Sequence, residues 1–408
     1  MEAGIHRKVR SACQSVDMNV GLTDRPENMV PDAKHLEFRV FDSTQSLLPI
    51  VPAWRSLADS CGDGFSFFCT PHWVLNWLEA FPQNRLRLVT VWRGGKMVLM
   101  APMADCTLAG FVRQWCCASF PEAGYGGILV CPKEEPSRLT GLLLRFLQEQ
   151  GQADVLLFPS VPTRTAWLPS AFSVQTPSAG AYATMIDVRQ STGVATSKSG
   201  KRNLKRKRSR LAREGELSLT IIDHTHPMAS TIIDTMIDWK ISWLDQRALV
   251  GAAVRSAPFR TFLNGLLKSP ETLGRQAPFC IALCRNGEPV TASLFLPDAN
   301  TLHCYFTAFD PEEGDHSPGL LLIQDVLEWM RQTHWTHYDF EGFPEPYKDK
   351  LATDRVTLTD HACPLSRKGH VVVQLRRIRL RQRVKDLFYK LPPHLRSRLL
   401  GATAGGRE

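Results

Sequence analysis

Long apolar runs are missing from this sequence. None approaches the roughly 20 residues that a membrane-spanning helix needs, so the chain does not read as a helical membrane protein. The first thirty residues carry charges throughout and no apolar core of a secretory signal, so an intracellular, cytoplasmic protein is expected. The eleven cysteines contain no CxxC pair, which gives no support to a zinc ribbon or a thioredoxin-type site; reduced and mostly buried thiols are expected. The 27 glycines and 27 prolines have no period, so they punctuate loops and do not build a fibre. His224/His226 and His334/His337 lack a cysteine or carboxylate at ligand spacing, so no metal is expected. Neither a Ser-His-Asp arrangement nor a P-loop pattern is present.

What remains is a globular composition, 43% hydrophobic and 22% charged over 408 residues, long enough for two domains with separate cores. The net charge of +9 is unevenly spread. Residues 198–213 hold nine Lys/Arg and no acid, and residues 371–408 hold ten against Asp386 and Glu408, which leaves a net of −8 for the rest of the chain. Two concentrated basic elements on a mildly acidic body attract phosphates, anionic lipid surfaces or nucleic acid.

Residues 1–35 have no periodicity and read as a loose leader. A first domain, 36–185, opens with the strand LEFRVF and a helical stretch around Trp54. A second helix follows, with Thr70 as its N-cap and Pro71 in its first position. Trp73, Trp77 and Phe81 share one face of that helix and read as core packing. A hairpin over 86–103, strands at 111–118 and 127–131, a helix over 137–149 and the buried strand DVLLF (154–158) complete it. A second domain, 186–370, starts with the basic helix, capped by Ser197 or Ser199 and stopped by Gly215. The strand at 216–222, helices over 227–247 and 256–268, and strands at 279–285, 289–297 and 301–309 come next. They lead to a loop at 312–319, a helix over 320–332, the strand HYDF (337–340), a turn-rich stretch and a last strand, VTLTDHA. The similar order of elements in the two halves raises the possibility of a duplicated fold.

Three stretches of the second half, SKSGKRNLKRKRSRLAREGELSL, YFTAFDPEEGDHSPGLLLIQDVLEWM and HYDFEGFPEPYKDKLA, resemble the CelD-like acyltransferases of the GNAT superfamily, which share the Fem-type tandem architecture. In the first half, Phe68 to Trp73 with Phe81, and Tyr125-Gly126-Gly127, look like the matching features. The resemblance covers about residues 36–370. It implies an α/β (α+β) fold of two tandem GNAT-like mixed-sheet domains with flanking helices, to which the sequence adds a basic amphipathic tail helix in 371–408. It also implies an association with cellulose or exopolysaccharide production.

A small-residue loop running into a helix leaves backbone N–H groups free at the positive helix end, a seat for a diphosphate. Gly314, His316, Ser317, Gly319 and Leu320 form that candidate seat for acyl-CoA (acetyl-CoA), with Ser317 as N-cap and Pro318 at the first position. Against the usual acetyl-CoA loop of Arg or Gln, then Gly three and Gly/Ala five positions on, this chain has Gly314, Ser317 and Gly319. Acyl transfer to an amine needs a proton acceptor, for which Asp339 and Glu341 are the candidates, and an acid for the thiolate, for which Tyr347 is the candidate. Lys348, Lys201 and Arg202 are candidate substrate or anion contacts, while His303 and Asp310 are weaker catalytic alternatives. Three functions stand open. One is an N-acyltransferase acting from acyl-CoA on a sugar- or lipid-linked amine. Another is a Fem-type transferase taking aminoacyl-tRNA. The third is a non-catalytic accessory factor of a membrane polysaccharide complex, contacting the membrane through 371–408.

Overall fold

The computed structural model describes residues 36–62, 64–106, 112–165, 167, 173–195, 197–268, 277–342 and 345–376. The expected leader and most of the basic tail, 377–408, lie outside them. In the first half run β1 (Leu36–Phe41), α1 (Thr44–Leu47), α2 (Val51–Ser60), α3 (Pro71–Ala80), β2 (Leu86–Arg93), β3 (Lys96–Asp105), β4 (Gln114–Cys117), β5 (Leu129–Val130), α4 (Pro136–Gln150), β6 (Val155–Pro162) and β7 (Val174–Asp187). In the second run α5 (Lys198–Leu211), β8 (Leu217–Ile222), α6 (Ile232–Gln246), α7 (Ala257–Leu267), β9 (Phe279–Arg285), β10 (Glu288–Asp298), β11 (Thr301–Phe309), α8 (Pro318–Arg331), β12 (His337–Asp339), α9 (Pro346–Leu351), β13 (Asp354–Pro364) and α10 (Arg367–Arg376).

The strands form one mixed sheet in the order β1-β2-β3-β4-β6-β13-β7-β12-β11-β10-β9-β8, with β5 beside β3. The order is nearly a palindrome. Each side has an antiparallel run followed by one parallel pair, β4 with β6 and β11 with β12. At the centre the closing strands are exchanged: β7, from the first half, pairs with β12, whereas β13, from the end of the chain, pairs with β6. β7 and β13 also pair antiparallel with each other, joining the sides into one ladder.

Several local elements follow directly from the residues that build them. Thr70 accepts a hydrogen bond from Trp73 N and Pro71 opens α3, where its missing N–H costs nothing. Ser197 does the same for Gly200 N at the start of α5, and Asn286-Gly287, both at positive φ, turn β9 into β10. The aromatic stripe of α3 is core, as its spacing predicts, and it also joins the halves. Trp73 meets Phe262 of α7 edge-on at 4.8 Å, and His72 Nε2 lies 3.1 Å from Leu266 O.

Two stretches differ from the sequence expectation. The long central β7 is not signalled by VQTPSAGAYATMID, where Pro177, Gly180 and the alanines Ala179, Ala181 and Ala183 break any alternating strand pattern; pairing on both edges imposes the conformation. The turn-rich stretch after Phe340 contains the short helix α9, opened by Pro346.

Candidate active site

Strand alternation sorts the second half into two faces. Leu302, Tyr338 and Phe340 point to the face covered by α8 and join its core with Leu322, Val326 and Leu327. His303 and Asp339 sit in register on β11 and β12 and point the other way, toward Phe68 and Tyr125 of the first half.

There, the fully buried Asp339 gathers three donors. Tyr125 donates its phenol to Oδ2 at 2.7 Å, His303 Nδ1 lies 2.9 Å from the same oxygen, and Glu341 N donates to Oδ1 at 2.7 Å. Burial alone would depress the His303 imidazole. The hydrogen bond and charge of Asp339, with the charges of Asp298 and Glu341, outweigh burial and raise its pKa. Asp298 is itself buried, which raises its pKa, while the His303 charge and the N–H groups of Ser66 (2.6 Å) and Phe67 (2.9 Å) oppose that shift.

Glu341 is held in the left-handed region at φ 60, a conformation that costs about 1–3 kcal/mol for a residue with a side chain. Burial drives its carboxyl up to about 8; the neighbouring Asp339 charge adds to that rise, and those of His303 and Lys348 act against it. Its Oε1 is buried with no hydrogen-bond partner among the described residues. Gly124 makes room for it, since a Cβ there would lie 2.8 Å from Glu341 Oε2. Gly126 is equally constrained, because a Cβ would sit 2.2 Å from Pro159 O.

The cluster stands where the sheet opens. β11 and β12 pair in parallel only over Thr301–His303 and His337–Asp339; Phe340 N then turns to Thr184 O on β7, leaving the rest of β11 without that neighbour. Tyr305 is the extra residue of a bulge in β11, since Leu294 faces Phe306 while Phe295 faces Cys304. The Tyr305 phenol donates to Glu122 O at 2.9 Å. Burial raises the Glu122 carboxyl, and the hydrogen bond from Trp77 Nε1, at 3.3 Å, works against it.

Of the residues singled out from sequence, Asp339, Glu341 and His303 come together. Tyr347 does not join them. It belongs to α9, on the α8 side of the sheet, its ring edge-on to Phe340 at 6.2 Å and its phenol pKa pushed up by burial. Lys348 reaches back from the same helix, with Nζ 3.4 Å from Phe340 O and 3.3 Å from Glu345. Asp310 caps a short 3-10 helix by accepting from Glu312 N.

That 3-10 helix, Pro311–His316, replaces the open loop expected before α8. Ser317 holds the N-cap position and Pro318 the first helical one, but Ser317 sits at φ 50, ψ 55 and its side chain makes no cap bond. The left-handed backbone turns the hydroxyl away from the helix amides, and it accepts a hydrogen bond from Lys207 of α5 instead. Gly314 lies against the Phe309 ring, His316 faces Glu313 at 3.8 Å, and Leu320 packs on the core beneath α8. A Cβ at Gly319 would meet nothing within 4 Å. The buried Glu313 is matched by Arg285 at 2.8 Å, so its charge does not stand open at this helix start. At this helix start Ser317 N already donates to Gly314 O, and Leu320 N and Leu321 N to Ser317 O, while Pro318 has no N–H, so the expected seat is reduced to the region of the open Gly319 with Lys207 nearby. Lys201 and Arg202 lie on the exposed surface of α5, on the α8 side, apart from the Asp339 cluster.

Sequence reasoning placed Tyr125 among features of the first half without giving it a place in the site, and did not single out Glu122, Asp298 or Tyr305. The run Gly124-Tyr125-Gly126-Gly127 was the available signal, since a tyrosine among glycines marks backbone brought close to something else.

Residues 198–349 match the model of the acetyltransferase (GNAT) domain. No curated protein sequence matches the chain. Among solved structures, FemX is similar at a TM-score of 0.54 and 10% identity, over 80% of this chain and 98% of its own. A Bacteroides thetaiotaomicron protein of unknown function gives 0.52 at 13% identity, over 80% and 99%. The C-terminal DUF2156 domain of an Agrobacterium fabrum protein assigned as a lysylphosphatidylglycerol synthetase gives 0.52 at 10%, over 80% and 94%. At these identities the likeness is one of fold.

Proposed function

We propose that this protein is an N-acyltransferase that moves an acyl group from acyl-CoA to an amine on a sugar- or lipid-linked acceptor, in the setting of exopolysaccharide or cellulose production. The observation that carries the reading is Glu341, a buried carboxylate with its pKa raised to about 8, standing where β11 and β12 part. The match to an acetyltransferase (GNAT) domain over 198–349 supports the same reaction class.

Bound acyl-CoA supplies a thioester carbonyl and a thiolate leaving group. In this reading the first turn of α8 around Gly319, with Lys207 beside it, holds the diphosphate. Backbone N–H groups of β11 near the Tyr305 bulge receive the carbonyl oxygen as it gains charge. Glu341, in its ionised form, takes the proton released as the acceptor nitrogen bonds to the carbonyl carbon, and the raised pKa makes it a stronger base than an ordinary carboxylate. Asp339 holds His303, Tyr125 and the Glu341 backbone in place. The carbon–sulfur bond then breaks, and Tyr347, on the α8 side, is the candidate to return a proton to the sulfur. The protein acts on the cytoplasmic side, with 371–408 as its contact to the membrane surface.

Calorimetry with coenzyme A and with tRNA tests the donor. Heat on coenzyme A alone is expected. Heat on tRNA alone would move the donor to aminoacyl-tRNA, and heat on neither would leave an accessory role.

A further inference from the structure

The basic helix α5 has a cleft of its own. About 630 Å³ lies between α5, the segment 191–195 and the outer flank of α8. Lys201, Lys205 and Arg208 form one wall, Gln324 and Arg331 the other, and Leu204 and Ala195 contribute an apolar floor. Four of the lining residues are cations and one, Glu328, is an acid. Glu328 is already held by Arg331 at 2.7 Å, and Arg208 is paired with Asp325. Lys201 and Lys205 have no carboxylate partner among the described residues, and both are exposed. The walls are fixed: Gln324 Oε1 accepts from Val194 N at 2.9 Å, and Arg331 donates to Ser191 O at 3.2 Å.

This volume falls within the roughly 300–1,000 Å³ of small-ligand sites. A polyanion tracking a helix needs a stripe of cations along it, whereas here cations of α5 and α8 border one open concavity that also offers the Ser191 and Thr192 hydroxyls. The cleft is also separate from the Asp339 cluster. It lies on the flank of α8 turned from the sheet, and α8 covers the face opposite to His303 and Asp339.

We infer that the α5–α8 cleft is a second ligand site, which binds a phosphate- or diphosphate-bearing molecule of about nucleotide size through Lys201 and Lys205. Two free ammonium groups over a partly apolar floor suit a phosphate ester whose uncharged part rests on Leu204 and Ala195. The inference does not depend on the acyltransferase reading.

The test is calorimetry on the full chain with pyrophosphate and with ADP, using wild type, Lys201→Ala/Lys205→Ala and Lys201→Arg/Lys205→Arg. Wild-type binding that weakens at least tenfold in the alanine pair and returns in the arginine pair is the expected result. Equal binding in all three proteins, or binding of tRNA without binding of pyrophosphate, overturns it. Coenzyme A titrated into the alanine pair keeps the two sites distinguishable. Unchanged affinity is expected, and a parallel loss would merge the cleft with the donor seat and overturn a second site. Flotation with vesicles of phosphatidylcholine, with and without phosphatidic acid, separates the sources. Retention that requires phosphatidic acid and that pyrophosphate displaces supports the site with a lipid headgroup as ligand. Pyrophosphate binding without retention supports it with a soluble one.

Discussion

Tyr125 and Asp339, 214 positions apart in the chain, meet in a 2.7 Å hydrogen bond with both side chains buried. The first half thereby contributes to the candidate site through a side chain, and the position of Asp339, hence of Glu341, depends on it. Tyr125→Phe is expected to cost about 1–3 kcal/mol, the penalty of a buried acceptor losing a donor, and to lower kcat without a matching change in KM. Urea denaturation and steady-state kinetics measure the two effects.

Glu341→Gln removes the proposed proton acceptor and keeps the shape. The rate of amine acylation should fall about 10²–10⁴-fold, the usual contribution of a positioned base. The wild-type rate should climb with pH up to about 8 and the variant should lose that limb. A variant with an unchanged pH profile would remove Glu341 from the chemistry.

Gly126→Ala places a methyl group 2.2 Å from the backbone oxygen of Pro159, where no flexible side chain can yield. A loss of about 1–3 kcal/mol is expected from overpacking, with a weakened Tyr125–Asp339 contact seen as reduced activity. Thermal melts beside kinetics would show both.

Gly319→Trp introduces its side chain into open space at the start of α8, so the fold should stand while coenzyme A binding is lost. Circular dichroism controls for folding, and retained binding in calorimetry would put the donor seat elsewhere.

The seam between α3 and α7 carries a pH signature. Asn76 donates to His72 Nδ1 at 3.1 Å, so Nε2–H must donate to Leu266 O and the ring is neutral. Burial lowers its pKa to about 4 from 6.5; the hydrogen bond to Leu266 opposes the shift and the Arg55 charge adds to it. Between those values the unfolded chain binds more protons than the folded one, so the stabilisation is present above about pH 6.5 and is lost as pH falls toward 4. Thermal melts of wild type and His72→Gln should therefore converge on acidification.

What could be read from the residues follows the range of the forces involved. Caps such as Thr70 and Ser197, the turn at Asn286-Gly287, and the strands β9 to β11 are local, and they were legible. Asp339 and Glu341 were legible as carboxylates following a strand. The partners that give them their chemistry were not, because Tyr125, Phe68 and Gly124 arrive through pairings more than two hundred residues long. The strand β7 was hidden for the same reason: its neighbours, and not its own side-chain preferences, hold it extended. The loop before α8 looked open because glycine, serine and proline permit a loop, and they equally permit the tight turn that Asp310 starts.

The exchange of β7 and β13 bears on how substrates enter. A ladder continuous from β1 to β8 cannot swing like a pair of jaws about its middle, since such rotation would tear the very pairings that stitch the lobes. In the proposed reaction, a substrate reaching the buried Glu341 must then pass by movements of the connecting segments at the strand ends, over a frame that stays still.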